Sequence, residues 1–134
     1  MSHEFLLKSL RTGEVIWSYP FGRSAEALWS PDGIALAITD YAGSNIAELF
    51  LVFPERPKQT VNLQDETARS LGLLPSVVQN DHVYFEAIRW QDPETLLFRV
   101  WGQGDHDPQG FDESFEYRIG GGVVRARSGP AGAR

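Results

Sequence analysis

Residues 105–116 concentrate oxygen-bearing side chains at a spacing that could hold a metal ion. Counted from Asp105, positions one, three and five carry such side chains, at Asp105, Asp107 and Gln109. Position six is Gly110, which can take the sharp turn that such a loop needs. Hard cations such as Ca²⁺ prefer oxygen ligands, and alternate residues of a turning loop can converge on one ion. The spacing therefore predicts calcium binding by this loop.

The same segment resembles the calcium loop of an EF-hand, which has a glutamate at position twelve, here Glu116. It departs from that pattern at Pro108 and Asp112, and its flanks alternate like strands rather than helices. Similar loops join strands in some β-propellers and take a ligand nearer position nine, which implies Glu113 here. The alternative is a polar hairpin loop whose acids face solvent.

The histidines do not form a recognised metal or catalytic motif. His3, His82 and His106 are scattered, and none has a partner at the spacing of a zinc site. His106 stands between two aspartates and could titrate or bind a cation. The chain also lacks the serine elbow of hydrolases and a phosphate-binding glycine loop.

Paired carboxylates remain a possible catalytic device, since two acids can act as acid and base or nucleophile in a small hydrolase. Asp32, Asp40 and Asp92 are all expected at turns. An aspartate at a turn more often accepts hydrogen bonds from nearby backbone N–H groups than it catalyses a reaction. A carboxylate-dependent hydrolase is therefore kept as an alternative function.

A period of two dominates the chain and predicts the elements that must position these residues. Val15, Trp17 and Tyr19, for example, share one face of a half-buried strand. Short connectors such as Pro31-Asp32-Gly33 predict antiparallel hairpins, because parallel crossovers need a dozen or more residues. Nine strands are predicted, at about residues 4–10, 14–19, 24–30, 34–40, 46–53, 83–90, 94–101, 112–119 and 122–126.

The strand pattern is broken over residues 54–82, which contain a helical insert at about residues 60–74. Asn62 is expected to cap a short helix, with Asp65 and Glu66 in its first turn and Gly72 as its stop. The helix is expected to cover the sheet. The predicted fold class is all-β with one short helix, in one domain over residues 1–127, followed by a flexible tail at 128–134.

The two halves of the domain can be aligned with a shift of sixty positions. Asp32 then meets Asp92 and Leu36 meets Leu96, while Trp29 and Trp90 lie one position out of register. The repeat units are about residues 4–53 and 83–126. Repeated antiparallel units of this kind are typical of propeller blades, which cannot bury both faces alone.

The first unit, through Thr12–Trp17, the Trp29-Ser30-Pro31-Asp32-Gly33 turn and residues 36–40, resembles a blade of the TolB-like and WD-repeat-like β-propellers. The resemblance is weaker over residues 83–119. It implies a partial propeller, a two-sheet sandwich or a half-barrel, because two blades cannot close a ring. It also implies a binding platform, with a homo-oligomer as one way to complete the ring.

Composition excludes several partners and leaves the compartment open. The net charge of −6 disfavours nucleic acid, and no apolar run approaches the roughly 20 residues of a membrane span. The chain has no cysteine, which excludes disulfides and thiolate sites. The first residues lack the blocks of a signal peptide, so the cytoplasm is the default expectation and the periplasm applies if a leader was removed.

An aromatic and acidic surface is the expected recognition site. Trp101 is expected to be partly exposed beside the acidic loop, and Trp101, His106 and Asp112 are the predicted binding residues. Such a surface could meet a basic partner, as in inhibitor proteins that mask a basic active site. We therefore expect a non-catalytic module that binds another protein or itself and needs no cofactor. Calcium binding and hydrolysis are the alternatives.

Overall fold

Most of the regular structure in the described part of the chain is extended. The computed structural model describes residues 3–126, and the predicted all-β class is confirmed for that part. The strands are β1 (His3–Lys8), β2 (Val15–Phe21), β3 (Ser24–Trp29), β4 (Leu36–Gly43), β5 (Ile46–Val52), β6 (Thr60–Asn62), β7 (His82–Asp92), β8 (Thr95–Gln103), β9 (Phe111–Arg118) and β10 (Gly122–Arg125). The helices are α1 (Leu63–Leu71) and the four-residue α2 (Pro75–Val78).

All nine predicted strands are present within a few residues of their expected bounds, and α1 is the predicted helix. The short strand β6 and the single turn α2 were not expected, because three or four residues are too few to show a period. The predicted tail, residues 128–134, lies outside the described residues.

Two antiparallel meanders form the main sheet. One runs β3–β4–β5, with β6 on part of β5, and the other runs β7–β8–β9–β10. They are joined by a short parallel ladder that pairs Ile46 with Val83 and Ala47 with Tyr84. A parallel link requires a long crossover, and the segment containing β6, α1 and α2 provides it.

A single apolar core is shared by the inner faces of the two meanders. Leu49 and Leu51 of β5 belong to the same buried cluster as Phe85 of β7 and Phe98 of β8. Beyond the parallel ladder, β7 passes over the inner face of β4, where the Ala87 N–H donates to Thr39 Oγ1 at 3.1 Å. The meanders therefore act as two layers over one core.

The β1–β2 hairpin covers the outer face of the first meander. It forms a separate two-stranded sheet, and Phe5 and Trp17 pack on Leu36, Ile38 and Val52. Apolar contacts and a hydrogen bond from the Tyr19 hydroxyl to Asp40 hold it there, without a shared strand ladder. The hairpin therefore hides a surface of β4 and β5 that would otherwise face solvent.

Helix α1 closes one side of the shared core. Its Leu63 and Thr67 are buried, and the Val123 N–H of β10 donates to Ser70 Oγ at 2.9 Å. As expected, Asn62 Oδ1 accepts from the Asp65 N–H, at 3.0 Å, and Gly72 ends the helix with a φ of 80°. Neither helix of residues 3–126 combines the length and apolar character needed to cross a membrane.

Replacing Asn62 by alanine should lower the free energy of unfolding by about 1 kcal/mol, because the helix loses the side-chain acceptor for an N-terminal N–H group. Urea denaturation followed by circular dichroism measures this. Asn62→Ser is the matched control, since serine caps a helix about as well as asparagine. Equal losses in the two variants would show that the cap contributes nothing.

The turns of the two halves are equivalent. Asp32 Oδ1 accepts from the Ile34 N–H at 3.1 Å, and Asp92 Oδ1 accepts from the Glu94 N–H at 2.8 Å. The pKa of each carboxyl is lowered below its usual value, mainly by these hydrogen bonds from backbone N–H groups. Both aspartates therefore act as turn residues, as expected.

The strands that follow these turns differ in which layer they face. Leu36 and Ile38 face the β1–β2 hairpin, whereas their counterparts Leu96 and Phe98 face the shared core. The repeat thus preserves hairpin geometry and the burial of these side chains, but not the layer that they face. The expectation that Asp40 lies at a turn is wrong: Asp40 lies within β4 and is buried.

Candidate functional site

The outward side of β7, β8 and β9 collects aromatic and charged side chains. Because successive side chains of a strand point to opposite faces, burial of Phe98 and Val100 turns Arg99 and Trp101 outward. The strand register adds neighbours from β7 and β9. We call this surface the Trp101 face, and it comprises Tyr84, Glu86, Arg99, Trp101 and Asp112.

An aromatic stack lies at the centre of the Trp101 face. The rings of Tyr84 and Trp101 are 4.5 Å apart at 34°, and the Arg99 guanidinium lies 4.7 Å from the Trp101 ring centre. The Tyr84 hydroxyl donates to the Ser44 carbonyl at 2.6 Å. Ring packing and cation–π attraction together restrict the conformations of these side chains.

Glu86 connects the stack to the first meander. Its Oε1 accepts from Trp101 Nε1 and from Arg99 Nη1, each at 3.2 Å, and its Oε2 accepts from the Tyr41 hydroxyl. Burial raises the pKa of Tyr41 well above its usual value, and the bond to Glu86 and the charge of Glu86 raise it further. Tyr41 therefore keeps its hydroxyl proton, and its hydrogen bond to Glu86, at alkaline pH where an exposed tyrosine would ionise.

Arg99 also holds the outer rim of the Trp101 face. Its Nε and Nη2 donate to the two carboxylate oxygens of Asp112, at 3.2 and 2.8 Å. A bidentate pair fixes the plane of the guanidinium. Because Asp112 is 56% exposed, solvent screens this pair, which contributes at most about 1 kcal/mol to stability.

The loop between β8 and β9 is anchored by Asn80. Asn80 Oδ1 accepts from the Asp107 N–H and Asn80 Nδ2 donates to Asp107 Oδ2, both at 3.0 Å. The same amide donates to the Ser76 carbonyl of α2 at 2.8 Å. The loop therefore has a defined position against the crossover segment.

The predicted calcium ligands have separate surroundings. Asp107 bonds Asn80, and Glu113 lies on β9, where its carboxylate pairs with Arg125 at 2.9 Å. Asp105 and Gln109 are exposed. Among residues 3–126, no three His, Asp or Glu side chains are grouped as a metal site requires. Calcium binding by this loop stays a prediction.

Two of the three predicted binding residues are brought together. Trp101 and Asp112 are cross-strand neighbours, and Trp101 is partly exposed as expected. His106 lies in the loop after β8, where its Nε2 is 3.9 Å from Asp107 Oδ2.

The sequence analysis did not identify three residues of the Trp101 face, nor Tyr41, which is hydrogen-bonded to it. The alternation of buried and outward residues along β7 and β8 is the signal that could have identified three of them: Tyr84, Glu86 and Arg99. Tyr41 comes from the other meander, so only the way the two layers pack brings it to Glu86.

Two small pockets lie away from the Trp101 face. One, of about 270 Å³, is lined by α1, α2 and the starts of β5 and β7, with Asp81 as its titratable residue. The other, of about 320 Å³, lies between β3 and β7, with Glu26 as its titratable residue. Neither brings two carboxylates together, as a hydrolase of the type considered above would require.

Comparison with protein-family models, with curated proteins and with solved structures finds no match to this chain.

Proposed function

We propose that this chain is a non-catalytic binding module that recognises another protein through the Trp101 face. The observation that carries the proposal is the pre-arranged stack of Tyr84, Trp101 and Arg99 around the Glu86 carboxylate. Tryptophan, tyrosine and arginine are the residue types that dominate binding energy at protein interfaces. Side chains already held in place lose less entropy on binding.

Charge indicates the type of partner. The chain has a net charge of −6, and the loop beside the Trp101 face carries Asp105 and Asp107. A partner with a basic surface would gain from this field, mainly in the rate and specificity of association. An inhibitor-like or accessory role fits these features.

Two further observations favour binding over catalysis. Each pocket described above contains a single titratable residue, so neither supplies an acid and a base together. The resemblance of the first repeat unit to a propeller blade also favours a binding platform. Completion of a ring by several copies of this chain remains a prediction.

Replacing Trp101 by alanine should reduce capture of the partner about tenfold or more, the effect expected of a central aromatic residue. Purified protein is immobilised, and proteins bound from a native lysate are quantified for each variant. Capture by the unmodified protein should also weaken as salt is raised, because the proposed contact is electrostatically assisted.

Trp29→Ala is the matched control, because Trp29 is 47% exposed but lies on the β3–β4 hairpin, away from the Trp101 face. Melting temperatures establish that both variants fold. A protein captured equally by the unmodified protein and Trp101→Ala contradicts the proposal. Sedimentation velocity tests the self-binding version: a Trp101-dependent dimer would identify a second copy as the partner.

A further inference from the structure

A carboxylate is buried where the β1–β2 hairpin covers the first meander. Asp40 lies in β4, and its side chain is directed to the same side as Leu36 and Ile38, beneath the hairpin. The residue is only 5% exposed. Buried carboxylates in proteins are normally paired with a cation or coordinate a metal.

Within the described residues, one oxygen of this carboxylate has a hydrogen-bond partner and the other has none. The Tyr19 hydroxyl of β2 donates to Asp40 Oδ2 at 2.5 Å. Asp40 Oδ1 is buried and has no hydrogen-bond partner among residues 3–126. An unpartnered buried acceptor loses its hydration without compensation, which costs about 1–3 kcal/mol and more for a charged group.

A second carboxylate lies beside it. Glu48 of β5 is the direct cross-strand partner of Asp40, and such partners share one face with Cβ atoms about 4.5–5.5 Å apart. Burial raises the pKa of Tyr19 far above its usual value, and the bond to Asp40 and the charges of Asp40 and Glu48 raise it further. Both carboxylates therefore act on the same phenol.

In the part of the chain that the structure describes, no basic side chain lies within ion-pair distance of either carboxylate. Like charges directly opposite each other in an antiparallel pair destabilise the sheet. Two acids, one buried and one half-buried, thus share a face without a cation from this part of the chain.

We propose that Asp40 and Glu48 form a site for a hard divalent cation, Ca²⁺ or Mg²⁺. The site would contribute two carboxylates, with water completing the coordination shell as is usual where a protein supplies few ligands. Two carboxylates suit a weak site, with a dissociation constant on the order of 10⁻⁴–10⁻³ M. The ion would supply the missing partner of Asp40 Oδ1 and relieve the repulsion from Glu48.

This site differs from the loop predicted from sequence spacing, and it does not depend on the proposed binding function. In the loop, Asp107 and Glu113 already have polar partners in the chain. In the β4–β5 pair, Asp40 Oδ1 has no polar partner among the described residues. Cation binding by this protein should therefore depend on Asp40 of β4 and Glu48 of β5.

The test is a titration of chelator-treated protein with CaCl₂ and, separately, MgCl₂, to about 10 mM, against NaCl at matched ionic strength. We expect at least one of the two ions to raise the melting temperature of the unmodified protein by about 5–10 °C. Trp17 stacks on Tyr19 with ring centres 5.8 Å apart, so Trp fluorescence should report the ion as well. The fluorescence change should be lost in Trp17→Phe.

Glu48→Gln should abolish the response to the ion and, without ion, should melt at or above the temperature of the unmodified protein, because the repulsion is gone. Asp40→Asn should also lose the response to the ion. If Asp40→Asn does not fold, the result for Glu48→Gln alone decides whether the site exists. Asp107→Asn should keep the full response. The proposal is overturned if the unmodified protein does not respond, if Glu48→Gln still responds, or if Asp107→Asn abolishes the response.

Discussion

Replacing Phe98 by alanine should lower the free energy of unfolding by about 3–5 kcal/mol, the range for removing a buried aromatic ring. Phe98 is fully buried, and its ring lies 6.3 Å from that of Phe85 and 5.6 Å from that of Phe115. It belongs to the core that both meanders share. The cavity left by the ring would therefore weaken the packing between the two meanders as well as the packing within the second one.

Urea denaturation, followed by both circular dichroism and Trp fluorescence, tests this prediction. We expect a single transition that moves to lower urea, because a core shared by the two meanders makes them one cooperative unit. Ile34→Ala is the control: Ile34 is a large apolar residue that is 54% exposed, so its loss should change stability by less than about 0.5 kcal/mol. Two separate transitions in Phe98→Ala would show that the meanders unfold independently.

The strands were predictable because their signal is local. The alternation of apolar and polar residues along β8 and β9 follows from one face being buried, so a short window of sequence is enough. The same holds for α1, where Asn62 and Gly72 mark the two ends. These features require no knowledge of which strands become neighbours.

Strand order was not predictable in the same way. The parallel ladder between β5 and β7 joins residues on either side of the crossover segment, and no local pattern specifies it. The burial of Asp40 was missed for the same reason, since it depends on the β1–β2 hairpin lying over β4. An aspartate near a strand end suggests a turn until the covering element is known.

The candidate site shows the same division. Trp101 and Asp112 were selected from the sequence because an aromatic residue stands near an acidic loop, and they are neighbours in the sheet. Tyr41 joins them only because the first meander folds against the second. A sequence pattern can therefore place residues on one face of a strand, but the packing of layers decides which faces meet.

Replacing Gly102 by alanine should cost at least about 3 kcal/mol, at the upper end of what overpacking causes. A Cβ atom at this position would lie 1.8 Å from the His82 carbonyl oxygen, which is far inside van der Waals contact. The oxygen belongs to backbone, so relief requires β7 or β8 to move. Such a shift would also disturb Tyr84 and Trp101, the cross-strand partners next to Gly102.

The matched control is Gly22→Ala, because a Cβ atom at Gly22 meets nothing within 4 Å and its φ is not positive. Alanine there restricts the unfolded chain and should leave stability unchanged or raise it by about 0.4–1 kcal/mol. Urea denaturation gives the free energy of unfolding of Gly102→Ala and of Gly22→Ala. The difference between them separates the cost of the close backbone contact at Gly102 from the general effect of replacing a glycine. Equal stabilities would mean that β7 and β8 can separate at Gly102 without cost. The close approach of Gly102 to the His82 carbonyl, beside Tyr84 and Trp101, would then not be a requirement of this fold.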